Sequence, residues 1–323
     1  MMRKHARIWL IVATSLILIG GVIFVGMLAI LNWDFTKLST NKYETNAHEI
    51  FEGFSSISVD TDTADIKFVP SEGASCSVVC YERKNVKHSV AVKDGVLCIE
   101  AVDTRKWYEH IGIHFGTPSV TVYIPQGEYG TLSVKSDTGD VEIPNAFSFE
   151  TIDITESTGD VTNRASATKA INIKTSTGRI SLENLSAGSL ALSVSTGNVT
   201  ASGVTCEGDL TVKVSTGKAN LTDVTCNNLR SDGSTGDISL TNVIASEMIS
   251  IERSTGDIKF TACDAADIVL ETDTGDVIGT LLSPKVFVAK TDTGKVNVPE
   301  SVSGGRCKIT TDTGNIKVEI AGN

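Results

Sequence analysis

Four aspartates near the C-terminus, Asp273, Asp276, Asp292 and Asp312, recur around Thr-Gly pairs. Carboxylates stacked at a strand spacing of about 4.8 Å repel one another unless a cation or hydroxyl donors intervene. These four are therefore the calcium candidates, as oxygen ligands for a hard cation. The plainer reading is turn chemistry, because Asp and Ser both bond the backbone two residues on. Lys295 also offsets the charge of Asp276. The plainer reading is preferred, so neither a metal nor a cofactor is expected. His110 and His114 would pair as ligands on a helix. The Ile-Gly-Ile between them reads as strand or loop, which sets them about 13 Å apart. Trp107 and Tyr108 nearby form either an aromatic patch or part of a cap.

Seven cysteines occur, an odd number, and no C-x-x-C spacing is present. Cys76 and Cys80 cannot pair along one strand, and Cys98 is in reach of either. Cys206 and Cys226 each follow a Thr-Gly pair by nine residues, so stacked windings would bring them together as a bridge or as buried thiols. Thr-x-Thr units at 175–177, 272–274, 291–293 and 311–313 suggest a flat ice-binding face. Ser136, Glu156, Val194, Val214, Gly233 and Arg253 break that column, and the adjacent Gly implies a corner. No catalytic set emerges from these residues.

What positions all of them is a repeat. Ser/Asp-Thr-Gly occurs ten times, ending at Gly139, Gly159, Gly178, Gly197, Gly217, Gly236, Gly256, Gly275, Gly294 and Gly314, with spacings of 19 or 20 residues. The second residue after every one of these glycines is apolar, from Val141 through to Ile316. Another apolar series, mostly Leu and Ile, precedes each glycine by seven. The two-residue alternation is that of strands with one face inward. One such repeat cannot bury its apolar face alone, but stacked windings can. The expected fold is all-β: a parallel β-solenoid of about ten windings, right-handed by the chirality of parallel crossovers. The glycine supplies a corner with φ > 0. The invariant Thr before it should stack as a ladder, its hydroxyls bonding to turn backbone or to one another.

The chain has 323 residues and a net charge of −11. A body this acidic disfavours nucleic acid. Ile8 to Leu31 carries no charge over 24 residues, about 36 Å as a helix, enough to cross a bilayer. Arg3, Lys4 and Arg7 precede it and Asp34 follows, which orients the N-terminus to the cytoplasm. The span exceeds a signal-peptide core and lacks a clear small-x-small site, so an uncleaved single-pass anchor is expected. The organisation reads as a cytoplasmic tail (1–7), a transmembrane helix (8–33), a linker (34–47), a β-rich cap (48–131) and the solenoid (132–323). Within the cap, residues 56–68 look like one degenerate winding, with Ala64 in the place of the glycine. Further strands are expected at 76–81, 89–92, 96–101 and 120–124, with a hairpin turn at Lys93-Asp94-Gly95.

Ser-Val-Thr-Val-Tyr-Ile-Pro at 119–125, Leu132-Ser133-Val134 and the run of Ser/Asp-Thr-Gly-Asp-Ile/Val turns resemble a bacterial adhesin-like domain family of unknown function over about residues 50–320. The resemblance implies a Gram-positive cell-envelope protein, some members being associated with envelope-stress systems. It brings no catalytic residues. The expectation is a membrane-anchored, extracellular, non-enzymatic binding rod, its partners envelope polymers or membrane proteins. The alternatives are a carbohydrate-active β-helix enzyme, either lyase or hydrolase, and an accessory part of envelope-stress signalling.

Overall fold

The computed structural model describes residues 4–33, 43–105 and 116–321. Trp107, Tyr108, His110 and His114 lie outside the described residues, as does most of the stretch expected as a linker. Helix α1 runs Lys4–Ile30 and contains a span long and apolar enough to cross a membrane, Arg7–Ile30. It starts before the expected Ile8 and ends in a left-handed turn, where Trp33 N–H donates to Leu28 O (2.8 Å). Its apolar side chains, Leu28 excepted, are exposed on every face, the pattern of a helix suited to lipid.

Each regular winding has three sides. Around Gly178 and Gly197 the buried side chains are Ile180 and Leu182, then Leu185 and Ala187, then Leu190, Leu192 and Val194. The trailing side follows the glycine, a short third side follows that, and the leading side runs into the next glycine. Like residues stack in register, as Ile171 on Leu190 and Leu190 on Leu210. Each such burial stabilises the rod by about 1.5–3 kcal/mol. The corner demands glycine for two reasons. Gly197 has φ 145°, and a Cβ there would sit on the carbonyl oxygen of Gly178. A second corner, six residues past the glycine, also has positive φ, at Asn184, Gly203, Asp223, Asn242 and Ala262.

The windings form the expected parallel β-solenoid, but they do not all stack in chain order. At the C-terminal end, Asp267–Thr274 pairs with Gly305–Thr313, and Gly305–Thr313 pairs in turn with Lys285–Thr293. The last winding in sequence is thus second from the end in space. Arg306 clamps it to Asp267 (2.8 and 3.1 Å), and buried Lys285 ties the outer winding to Asp264 (2.6 Å). The N-terminal end repeats the device. Strands β1 (Tyr43–Ile50), β2 (Ser56–Thr63), β3 (Asp65–Pro70), β4 (Cys76–Arg83), β5 (Val86–Lys93), β6 (Val96–Asp103) and β7 (Ser119–Ile124) precede the regular windings. The β2–β3 winding, with Ala64 at its corner, lies between β6–β7 and the winding of Gly139. The physical advantage is shared. The winding nearest each chain end is hydrogen-bonded along both edges, and a winding held by chain on both sides takes the outer place. Antiparallel β5 on β6, β4 on β7 and β1 on β4 then cover the edges that parallel stacking leaves open. Strand β1 begins within the stretch expected as a linker.

Candidate functional site

The turn columns are structural first. Where the residue after the glycine is Asp or Asn, its side-chain oxygen accepts the backbone N–H of the same position one layer on, forming a ladder. Asp140 Oδ1 accepts from Asp160 N (2.8 Å), Asp257 Oδ1 from Asp276 N (3.0 Å), and Asp276 Oδ1 from Asn315 N (2.7 Å). The column is interrupted by cations, which pair with neighbouring ladder acids: Arg179 with Asp160 (3.8 Å) and Lys218 with Asp237 (3.2 Å). The four calcium candidates divide accordingly. Asp273, Asp312 and Asp292 stack in that spatial order before the corner. Asp276 stands beyond it and is engaged in the ladder, and Asp292 pairs with Lys290 (2.8 Å). Their donor atoms do not converge within the 4.8 Å that marks the one candidate group among the described residues.

The Thr before each glycine stacks and stays exposed, but its carbonyl does the bonding: Gly159 N–H donates to Thr177 O (2.9 Å). Hydroxyl bonds to the turn come from two residues earlier. Thr272, Thr311 and Thr291 point inward and donate to the Gly256, Gly275 and Gly314 carbonyls (3.1, 3.1 and 2.9 Å). The first Thr of the Thr-x-Thr units therefore faces the interior, and no flat double-Thr face forms. The same inward column holds two buried ionisable side chains. Arg253 donates to Ser231 Oγ (2.8 Å) and occupies the room left by Gly233. Glu156 has neither carboxyl oxygen hydrogen-bonded, and burial, reinforced by Asp140, pushes its acid up to about 8.

All seven cysteines are free. Cys206 and Cys226 belong to a column of small buried residues that continues as Ala187 below and Ala245 above. Burial pushes the Cys226 thiol up to about 12.

On the leading side the outward residues build a surface. Lys135, Thr155, Lys174, Ser193 and Lys213 stack in consecutive layers, so a lysine recurs every second layer, about 9.6 Å apart. Lys174 and Lys213 are exposed and have no ion-pair partner among the described residues. A shallow groove of about 490 Å³ runs along Asp153, Asn172, Lys174, Ser193 and Lys213. A second, of about 380 Å³, shares Lys213 and adds Arg230, Asp232 and Glu252. This basic strip on an acidic body was not foreseen from composition, because most stacked acids lie at the turns. The signal was available as the residue four before each glycine.

A buried polar cluster sits in the cap. Cys80 and Glu82 alternate onto the inner face of β4, and His88 comes from β5 across the hairpin. Glu82 Oε2 accepts from His88 Nδ1 (2.8 Å) and His88 N (2.6 Å), and Oε1 accepts from Asn46 Nδ2 (2.7 Å). His88 Nε2 meets Thr61 Oγ1 at 3.0 Å. The cluster ties four strands together. Burial, with Glu82 adding to it, pushes the Cys80 thiol up to about 12.

The fold defines the class: an all-β solenoid with one apolar N-terminal helix. The chain belongs to the Toastrack DUF4097 family, whose pattern matches residues 54–211 and again 205–323. A crystal structure of a candidate adhesin from Parabacteroides merdae superposes with a TM-score of 0.51 at 13% identity, over 75% of this chain and 97% of its own. One from Parabacteroides distasonis gives 0.49 at 13% identity, over 84% and 98%. No curated protein matches the sequence.

Proposed function

We propose that this protein is a single-pass, outward-facing binding rod of a Gram-positive envelope that holds an extended polyanionic envelope polymer along its leading side. The carrying observation is the lysine ladder: Lys174 and Lys213 line the groove, and Lys135, paired with Asp60 (3.6 Å), continues the column two layers beyond Lys174. Regular cations about 10 Å apart, with hydroxyls between them, suit a linear polymer with periodic negative charge. Helix α1 is the anchor, and basic residues before it favour a cytoplasmic N-terminus. The test is co-sedimentation of the full chain, in lipid nanodiscs, with purified anionic cell-wall polymer at low and high salt. Binding should fall with salt. It should drop at least about tenfold in the Lys135→Glu, Lys174→Glu, Lys213→Glu triple variant. Unchanged binding in that variant would overturn the reading.

A second reading has its own observation. Asp232 and Glu252 stand in adjacent layers of the second groove beside Arg230 and Lys213. Two carboxylates flanked by cations suit cleavage of an acidic polysaccharide. Polymer shortening by the wild type, abolished in Asp232→Asn and Glu252→Gln, would favour it. A polymer of unchanged length would sink it.

A further inference from the structure

We propose that Cys80, Glu82 and His88 form a site for a zinc-class transition metal inside the cap hairpin. Thiolate, imidazole and carboxylate are the three donor types that zinc takes, and a mixed set of this kind selects against hard cations. The three donor atoms already lie within 4.8 Å of one another. Tetrahedral bonds of 2.0–2.3 Å put ligand pairs roughly 3.3–3.8 Å apart. The 2.8 Å His88–Glu82 separation opens slightly to meet that geometry, and the sulfur moves within its present range.

The atoms not needed for a metal are already held. Thr61 Oγ1 engages His88 Nε2 and Asn46 Nδ2 engages Glu82 Oε1, while Nδ1, Oε2 and Sγ converge; Oε2 also accepts the His88 amide (2.6 Å), a bond that its second lone pair can keep beside a metal. Such outer partners orient the inner ligands of metal sites. The scaffold is paired sheet on both sides, since β4 lies between β1 and β7 and β5 lies on β6. The charges also close. A divalent ion with one thiolate, one carboxylate and a neutral imidazole is neutral, as a buried site requires. On binding, the Cys80 thiol loses its proton to solvent. The ring proton of His88 is then carried on Nε2 rather than Nδ1, and that N–H donates a hydrogen bond to Thr61 Oγ1. Three protein ligands leave a fourth position for a water.

The test uses the full chain in detergent, loaded with Zn²⁺ or Co²⁺ both after folding and during refolding, because the cluster is enclosed. Bound metal is counted by mass spectrometry after removal of free ion. About one equivalent per chain is expected, with a thiolate-to-cobalt charge-transfer band and a thermal midpoint that rises with zinc concentration. Cys80→Ser and His88→Gln, shown folded by circular dichroism, should lose the band and most of the metal. Cys206→Ser should keep both. A wild type that takes up no metal under either loading overturns the site. So does a Cys80→Ser protein with the same cobalt spectrum. Polymer binding is read separately on the leading side, so neither result decides the other.

Discussion

The amide of Gly314 donates to the carbonyl of Thr293 at 3.0 Å, although Thr293 comes earlier in the chain and lies one layer further out. This bond records the exchange of the last two windings. Gly305–Thr313 is paired on both edges, while Lys285–Thr293 has one free edge and exposes Val286 and Val288. Hydrogen exchange followed by mass spectrometry should show residues 305–313 exchanging at least about tenfold more slowly than 285–293. The reverse order would mean that the windings follow the chain.

Glu156 replaces the inward Thr of other windings with an acid facing the turn, with Asp65, Asp140 and Asp160 close by and Ser136 beside it. The native state holds its proton up to about pH 8, whereas the unfolded chain releases it near 4.5. The native state therefore binds more protons in that interval, and stability falls as pH rises through it. Glu156→Gln should remove this slope and raise stability at pH 9 by about 1–3 kcal/mol, read by urea denaturation. A variant with the wild-type slope would refute the assignment.

Asp257 acts in the opposite sense. Lys259 foremost, then the Asp276 amide, holds its carboxyl below the usual value. Its contribution is present above pH 3.8 and is lost as pH falls through the lowered value. Asp257→Ala should cost about 1–2 kcal/mol at pH 7, with the gap narrowing in acid. Asp257→Asn retains the accepting oxygen and should cost less. Equal losses in both would show that charge alone matters.

Cys206 and Cys226 act as small apolar side chains in a column shared with alanine. Replacing either by Ala should change stability by less than about 1 kcal/mol, and reductant should leave the melting temperature unchanged. A fall in melting temperature with dithiothreitol would show a bridge.

The rod was legible in the sequence because its period is enforced twice, by a corner that excludes a Cβ and by apolar positions at fixed offsets. Val141, Val161 and Ile180 announce their stacking before any coordinates do. Ala64 was readable for the same reason, and so was the hairpin at Lys93–Gly95. The exchange at the C-terminal end was not, since Gly294 and Gly314 sit in equivalent repeats and the order is held by aperiodic contacts such as Arg306–Asp267 and Lys285–Asp264. The cap cluster escaped because Cys80, Glu82 and His88 lie on antiparallel strands that follow no period and meet Thr61 of the β2–β3 winding. For Asp276 turn chemistry was already preferred over a cation, and the ladder supplies the particular partner, the Asn315 amide.

The most direct test of a polymer held along the leading side is a hydrogen-exchange footprint of the full chain with and without anionic cell-wall polymer. The account predicts added protection at 153–155, 172–174, 191–193 and 211–213, with the exposed Ser-Thr edge of the Gly corners unchanged. Protection confined to those corners, or to the trailing side around Lys259 and Lys317, would contradict it.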